Sequence, residues 1–276
     1  MKIEHLFNVK GRAVVVTGGG SGIGLGYAEV LAANGARVTL LDIDEHRITA
    51  EVNRLRAAGM EVNGKAVDVT DHDGLDRAIG EVVSAYGRLD VVFANAGIDP
   101  GPGYVGAWVG SERPRRTEGA IESYSDERWN QVIDVNLNGI FATARAAARH
   151  MRPQGSGRIV ITTSAASQRV EPAIGAAYMA AKAGAAHFMR SLALELASCQ
   201  ITVNAIAPGM FVTNIGGGHS KDPAVQQAFA SVIPLHRVGF PKDIGGLALL
   251  LASDAGSYIT GQEIVIDGGL CLGRVD

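Results

Sequence analysis

The chain has 276 residues, of which 47% are hydrophobic and 19% charged, and its formal net charge is −3 at pH 7. This length and composition allow one sizeable core or two small ones, and the charge gives no sign of nucleic-acid binding. No apolar run approaches the roughly 20 residues of a membrane-spanning helix, and the first residues do not resemble a signal peptide. The two cysteines and the scattered histidines suggest neither a disulfide scaffold nor a metal site. We therefore expect a cytoplasmic protein with no membrane span and no catalytic metal.

Strands and helices alternate along the chain. Short apolar runs predict strands near residues 13–17, 37–41, 62–67, 89–94, 157–163, 201–206 and 263–266. Between them, helix-forming runs predict helices near residues 21–34, 44–58, 73–86, 126–151, 176–197 and 241–253. The alternation reaches the end of the chain without a Pro/Ser-rich linker. We therefore expect residues 1–276 to form one α/β domain with a Rossmann-like, doubly wound, seven-stranded parallel sheet and helices on both faces.

The first strand leads directly into a glycine-rich turn. After Ala13-Val14-Val15-Val16 the sequence reads Thr17-Gly18-Gly19-Gly20-Ser21-Gly22-Ile23-Gly24, and a helix follows. Such a turn lets the backbone approach a pyrophosphate, which also meets the amide-bearing start of the helix. The spacing is GxxxGxG rather than the commoner GxGxxG. Because strand, turn, helix and a later acidic residue occur in order, the segment predicts a dinucleotide site rather than a flexible loop.

Asp42 follows the second predicted strand and bears on the choice of cofactor. A carboxylate at this place accepts hydrogen bonds from the adenosine ribose hydroxyls and repels a 2′-phosphate. No arginine or lysine lies between Thr17 and Gly35 to attract that phosphate. The sequence therefore predicts NAD as the cofactor, with Asp44 as a competing candidate for the ribose contact.

Tyr178 and Lys182 are spaced four residues apart in a run of good helix formers. Residues at this spacing share a helical face, and an ammonium beside a phenol favours the phenolate. We therefore expect the pKa of Tyr178 to be lowered, which would allow proton transfer near neutral pH. Of the 6 tyrosines, only Tyr178 has a lysine four residues later, so the spacing alone also fits an ordinary surface pair.

Several separated motifs resemble those of the classical short-chain dehydrogenase/reductase family, from about Gly11 to Gly269. In the family's order they are the turn with Thr17, Gly18, Ser21, Gly22, Ile23 and Gly24; the adenine-contacting pair Asp68-Val69; Asn95-Ala96-Gly97; Asn136; Ser164; Tyr178 with Lys182; and Pro208-Gly209 followed by Thr213. Phe211 is expected beside the nicotinamide from its place after Pro208-Gly209.

The resemblance implies hydride transfer between the nicotinamide and a carbonyl or secondary alcohol carbon. Tyr178 would exchange the proton, Ser164 would hold the substrate oxygen, and Lys182 would tune the tyrosine and bind the ribose. Asn136 would hold a water that links Lys182 to solvent. Ser164 lies one residue farther from Tyr178 than the family's usual spacing, so Ser167 and Thr163 stay open as alternatives for the serine. The resemblance also implies a homotetramer.

Two stretches are expected to shape the pocket for a small alcohol or ketone substrate. Residues 98–124 form a longer connection than is usual in the family, and residues 214–237 contain Gly216-Gly217-Gly218, a predicted hinge for a lid. Trp108 and the arginines at 113, 115 and 116 either bind a substrate or pack on the scaffold or a neighbouring subunit. The leading interpretation is an NAD-dependent enzyme that interconverts a secondary alcohol and a ketone. A 3-oxoacyl-thioester reductase of the same family and a non-catalytic dinucleotide-binding regulatory protein are the alternatives.

Overall fold

The computed structural model describes residues 2–106 and 114–273. Its strands are β1 Ala13–Thr17, β2 Arg37–Asp42, β3 Val62–Ala66, β4 Val91–Ala94, β5 Gly157–Thr162, β6 Ile201–Pro208 and β7 Glu263–Ile266. In the described part of the chain they form one 7-stranded sheet in the order β3-β2-β1-β4-β5-β6-β7, and every pairing is parallel. The predicted fold class is confirmed. The strand order reverses direction between β1 and β4, which is where parallel α/β sheets bind ligands.

Helices cover both faces of the sheet. They are α1 Ile3–Leu6, α2 Gly22–Ala33, α3 Glu45–Ala57, α4 His72–Tyr86, α5 Asp126–Ile133, α6 Gly139–Gln154, α7 Ala176–Leu196, α8 Pro223–Ala230 and α9 Gly245–Ala252. Local sequence sets their ends, as α4 illustrates. Asp71 caps its start by accepting from the Gly74 amide at 3.0 Å, and Gly87 follows its end with φ 73°. Both are standard signals for a helix start and a helix end.

The core consists of two apolar layers, one on each face of the sheet. Alternate strand residues supply the two layers, because successive side chains of a strand point to opposite faces. Val15 packs with the layer under α4, α6 and α7. Its neighbours Val14 and Val16 pack with the layer under α2, α3 and α9. This sandwich leaves the carboxyl ends of the strands accessible for polar chemistry.

The helix expected over residues 126–151 is interrupted. A π-helical turn, Asp134–Asn138, separates α5 from α6. Within it, Asn136 donates through Nδ2 to the carbonyl oxygen of Val132 at 3.0 Å, and also to that of Ile98 at 2.8 Å. A side chain that takes a backbone carbonyl of its own helix opens the local ladder, and such π turns often mark functional sites.

The two expected pocket segments are more regular than predicted. Residues 114–124 contain the 3-10 turns Thr117–Gly119 and Ile121–Ser123. Residues 214–237 contain a third 3-10 turn, Ile215–Lys221, and α8, which was not predicted. Trp108 and Arg113 lie outside the described residues.

The described residues contain neither a membrane-spanning helix nor a cluster of metal-ligating side chains. No helix is both long and apolar enough to cross a membrane. No group of three or more histidine, cysteine or acidic side chains is arranged to hold a metal ion.

Candidate functional site

The glycine-rich turn between β1 and α2 is tightly packed. Gly18 and Gly22 have φ values of 63° and 54°, in the left-handed region that favours glycine. A Cβ on Gly24 would lie 2.2 Å from the Gly18 carbonyl oxygen, so no larger residue fits there. The start of α2 therefore sits directly against the end of β1, with its first amides at the carboxyl edge of the sheet. This arrangement fits a dinucleotide pyrophosphate.

Asp42 lies beside this turn at the end of β2. Its Oδ2 accepts from the Gly20 amide at 3.0 Å, and its Oδ1 accepts from the Asp44 amide at 3.2 Å. Asp44 instead caps α3 by accepting from the Arg47 amide at 2.9 Å. The structure therefore places Asp42, not Asp44, against the glycine turn.

Arg47 also reaches the turn, although it is distant from it in sequence. Its guanidinium lies 3.4 Å from Ser21 Oγ and 3.2 Å from the Asp44 carboxylate. The sequence between Thr17 and Gly35 contains no arginine or lysine, so no cation was expected at the turn. Arg47, from the first turn of α3, places a positive charge there, and this charge bears on the choice between NAD and NADP.

Asn95 joins the carboxyl ends of three strands. Its Nδ2 donates to the carbonyl oxygens of Thr17 and Gly18, at 3.0 and 3.2 Å. Its Oδ1 accepts from Thr162 Oγ1, at the end of β5, at 3.1 Å. Its own backbone amide donates to Thr17 Oγ1 at 3.0 Å. The side chain is therefore occupied in fixing the end of β1 to β4 and β5.

Asn136 and Lys182 converge on Gly97. A Cβ on Gly97 would lie 2.6 Å from Asn136 Oδ1 and 3.4 Å from Lys182 Nζ. Asn136 is fully buried, and its Oδ1 accepts from the Ile98 amide at 3.2 Å. Lys182, which is 2% exposed, donates to the Thr162 carbonyl oxygen at 2.8 Å. Asn136 thus fixes Ile98 in the segment after β4 through two hydrogen bonds, and the Lys182 ammonium lies next to Gly97 in the same segment.

Ser164 lies close enough to Tyr178 for its hydroxyl to oppose the rise in the tyrosine pKa. It also caps the 3-10 turn Ala165–Ser167 by accepting from the Ala166 amide at 3.1 Å. The two alternative hydroxyls are engaged elsewhere. Ser167 Oγ lies 2.6 Å from both the Ser164 carbonyl oxygen and Glu263 Oε1, two acceptors that share its one proton. Thr163 donates to the Ile206 carbonyl oxygen at 3.2 Å. Ser164 is therefore the hydroxyl best placed to act with Tyr178.

The pKa of Tyr178 is shifted in the direction opposite to the expected one. Burial raises it to about 12, the Ser164 hydroxyl opposes that rise, and the charge of Asp99 adds to it. Lys182 Nζ lies 5.6 Å from the centre of the Tyr178 ring and is itself buried, which lowers the lysine pKa to about 8. A lysine on the same helical face is thus not sufficient to lower the pKa of Tyr178, because the effect of desolvation on this pKa is larger than that of the neighbouring cation. At neutral pH the tyrosine is a phenol, the form that donates a proton.

The remaining predicted residues line the same edge, with one difference. Asp68 follows β3 and accepts from the Thr70 amide at 2.8 Å, while Val69 packs under Gly139. After β6, Thr213 packs on Gly22, since a Cβ there would lie 3.3 Å from the Thr213 Cβ. The Phe211 ring instead belongs to the apolar layer under α2 and α9, packed on Gly239. Phe211 therefore supports the segment after Pro208-Gly209 by packing in the core.

The arrangement fits the motifs of one protein family. A family model described as "Enoyl-(Acyl carrier protein) reductase" matches residues 18–271. The chain belongs to the short-chain dehydrogenase/reductase family. It is thus an oxidoreductase, from a family that binds a nicotinamide dinucleotide.

Relatives within the family differ in substrate and cofactor. The chain is 33% identical to a 3-oxoacyl-[acyl-carrier-protein] reductase of Chlamydia pneumoniae, over 94% of this chain and 97% of that protein. It is also 33% identical to an NAD-dependent glycerol dehydrogenase of Listeria innocua, over 96% of each chain. A gluconate 5-dehydrogenase from Burkholderia cenocepacia, solved with NADP and tartrate, has a TM-score of 0.86 at 30% identity and covers 99% of this chain and 100% of its own.

Two residues near the site were missed in the sequence. Arg47 reaches the glycine turn only because α3 runs back along the end of β2. Asp99 lies close enough to Tyr178 for its charge to raise the tyrosine pKa. A signal for Asp99 was available, since a carboxylate two residues after Gly97 must lie near the carboxyl end of β4.

Ser164→Ala should lower turnover by about 10²-fold or more, because in the role that the family resemblance implies its hydroxyl would donate to the substrate oxygen. Ser167→Ala is the matched control, since its hydroxyl is bound to Glu263. Steady-state rates of both variants with the same cofactor and substrate would test the assignment. A larger loss for Ser167→Ala would move the role to that serine.

Lys182→Met should change how stability depends on pH. Burial lowers the lysine pKa from its usual 10.5 to about 8, so between these values the unfolded chain binds more protons than the folded one. The free energy of unfolding of the wild type should therefore rise across this window, and the variant should lack that rise. Urea unfolding between about pH 7 and pH 10 would measure it, with the exposed Lys242→Met as control. A constant difference between wild type and Lys182→Met would contradict this account.

Proposed function

We propose that this protein is an NAD(H)-dependent oxidoreductase that interconverts a secondary alcohol and a ketone, with Tyr178 as the general acid and base. The observation that carries the proposal is the contact of Ser164 with Tyr178 beside the buried Lys182. These groups lie at the same edge of the sheet as the glycine turn and Asp42. A site that only senses a dinucleotide has no need of a buried phenol, hydroxyl and ammonium together.

Each residue has a distinct task in ketone reduction. Ser164 donates to the carbonyl oxygen and fixes its position, and the Tyr178 phenol delivers a proton to the alkoxide as it forms. A nicotinamide dinucleotide held by the glycine turn and Asp42 supplies the hydride, so that ketone, NADH and a proton give alcohol and NAD⁺. In alcohol oxidation the proton steps run in reverse, and Tyr178 must then be deprotonated to accept the alcohol proton.

Lys182 is placed to pass protons between Tyr178 and solvent. Its pKa of about 8 lies close enough to neutral pH for both protonation states to be accessible. Asn136 holds Ile98 in place next to the lysine. We propose that Asn136 positions a water molecule that connects Lys182 with solvent.

The preference for NAD follows from Asp42. Its carboxylate is fixed beside Gly20, where a 2′-phosphate would meet a negative charge. Arg47 is the opposing influence, but the Asp44 carboxylate 3.2 Å away offsets much of its charge. Relatives differ in their cofactor, since one is an NAD-dependent dehydrogenase and another was solved with NADP.

A 3-oxoacyl-thioester reductase is the second candidate. The observation in its favour is the chlamydial 3-oxoacyl reductase, which is 33% identical over 94% of this chain. Its chemistry would use the same Ser164, Tyr178 and Lys182. A substrate panel that includes a 3-oxoacyl thioester separates the two candidates.

The protein is further proposed to form a homotetramer. Among the described residues, α6 and α7 carry large apolar side chains that stay exposed, with Phe141 42% and Leu194 84% accessible. Exposed apolar patches of this kind mark association surfaces. Sedimentation or light scattering would give the number of subunits.

Tyr178→Phe should remove most turnover, by about 10²- to 10⁴-fold, because the ring remains but no proton can be exchanged. The affinity for NADH should change little. NADH formation from NAD⁺ and a panel of secondary alcohols, together with fluorescence titration of NADH, would measure both. Normal turnover in Tyr178→Phe would place the proton donor elsewhere, and binding without any turnover in the wild type would favour the regulatory protein.

Asp42→Ala should narrow the preference for NAD⁺ over NADP⁺, because the charge that opposes a 2′-phosphate is removed. Arg47→Gln should widen it, since the only cation found at the turn among the described residues is lost. Each change should alter the ratio of kcat/KM values by about 10- to 100-fold, the scale of one hydrogen bond to a charged group. An unchanged ratio in Asp42→Ala would move the ribose contact to Asp44 or to backbone.

A further inference from the structure

Asp99 is a half-buried carboxylate that the proposed proton transfer does not use. It follows Asn95-Ala96-Gly97-Ile98, the segment that Asn136 holds in place. Its Oδ1 accepts from the Gly101 amide at 3.1 Å. In residues 2–106 and 114–273 we find no second donor to this carboxylate and no lysine or arginine within ion-pair distance. The carboxylate is only partly buried and neither of its oxygens is a buried unsatisfied atom, so its second oxygen can accept a hydrogen bond from water or from a bound ligand.

The carboxylate faces the start of α7, one helical turn before Tyr178. A Cβ on Gly175 would lie 3.7 Å from Asp99 Oδ1 and 3.0 Å from the Tyr124 hydroxyl. The Tyr178 amide donates to the Gly175 carbonyl oxygen at 3.1 Å. Asp99 and the Tyr124 hydroxyl therefore both lie against the backbone at Gly175, one helical turn before the catalytic tyrosine.

The electrostatic effects agree with this placement. The charge of Asp99 raises the pKa values of both Tyr178 and Tyr124, and burial raises the pKa of Asp99 itself. The other charged groups nearby are Lys182 under Tyr178 and Arg128, which lies over the Tyr124 ring. A carboxylate at this position opposes formation of the phenolate that alcohol oxidation needs. It also takes no hydrogen bond from the first amides of α7, so capping that helix does not explain it.

We propose that Asp99 forms a hydroxyl-binding subsite, and that the substrates are hydroxy ketones and the corresponding polyols. A hydroxyl on a carbon next to the reacting carbon would donate to Asp99. The same hydroxyl would accept from Tyr124, whose oxygen lies near the Ala177 amide and whose proton can therefore point toward the substrate. This inference rests on the proposed function, because it concerns the substrate of the same Tyr178.

A hydroxyl fits these neighbours better than the alternatives. The polar side chains near Asp99 are the hydroxyls of Tyr124 and Tyr178, with Ser164 next to Tyr178, and this set both accepts and donates. A substrate carboxylate would be repelled by Asp99. A simple ketone would displace water from Asp99 and leave the Gly101 amide as its only donor among the described residues, which costs free energy for a partly buried charge.

The test compares ketones that differ in one group. Butanone, hydroxyacetone and dihydroxyacetone would be reduced with NADH and with NADPH by the wild type, Asp99→Asn, Asp99→Leu and the exposed control Asp73→Asn. We expect the wild type to favour hydroxyacetone over butanone by about 10- to 100-fold in kcat/KM, the scale of one hydrogen bond to a charged group. Asp99→Leu should bring that ratio near one, whatever the absolute rate with butanone, and Asp73→Asn should behave as the wild type.

The outcomes separate this inference from the proposed function. Failure of the wild type with every ketone and alcohol would reject the function itself. Turnover without a hydroxyl preference, or a preference that survives in Asp99→Leu, would overturn only the subsite. A stronger preference for aminoacetone than for hydroxyacetone would show that the subsite recognises an ammonium and would also overturn the proposal.

A second readout depends on charge alone. Removing the negative charge in Asp99→Asn should lower the pKa of Tyr178, so the rise of alcohol oxidation with pH should move to lower pH. The profile of Asp73→Asn should stay in place. An unmoved profile in Asp99→Asn would mean that this carboxylate does not face Tyr178, and the subsite would be rejected. A thermal melt of each variant would confirm that it is folded.

Discussion

The hydrogen bonds of Asn95 hold the site together. One amide side chain binds the end of β1 through the Thr17 and Gly18 carbonyls and the end of β5 through Thr162. The Thr162 carbonyl in turn accepts from Lys182. The glycine turn and the lysine therefore sit on one continuous network rather than on independent loops. Networks of this kind are rigid when every member is satisfied, which is what hydride transfer over a short distance requires.

Burial, more than any single charge, sets the proton chemistry of this network. It raises the pKa of Tyr178 to about 12 and lowers that of Lys182 to about 8. Both shifts favour the neutral forms, since desolvation penalises a charge of either sign. A neutral phenol is suited to protonating an alkoxide, so the protein alone is prepared for ketone reduction. Alcohol oxidation needs the phenolate and should therefore be favoured at higher pH.

The sequence predicted the order of elements and the place of the site better than its electrostatics. Turn residues and helix caps are local, so the glycine turn, the helix starts and the succession of strands and helices along the chain could be derived from short segments. The pKa of Tyr178 could not, because its sign depends on how deeply α7 is buried. The π turn at Asn136 was missed for a similar reason, since the hydrogen bonds to Ile98 that accompany it come from a distant part of the chain.

Arg47 and Asp99 show the same limit at the two ends of the site. Each is adjacent in space to a residue that was predicted, and each brings a charge that changes what that residue can do. In the proposed function, Arg47 would weaken the exclusion of a 2′-phosphate by Asp42, and the charge of Asp99 raises the pKa of Tyr178. Each charge acts on a residue to which it is not hydrogen-bonded. In the proposed function, cofactor choice therefore depends on Arg47 as well as Asp42, and substrate choice depends on Asp99 as well as Tyr178. A motif that contains only one residue of each pair predicts only part of the effect.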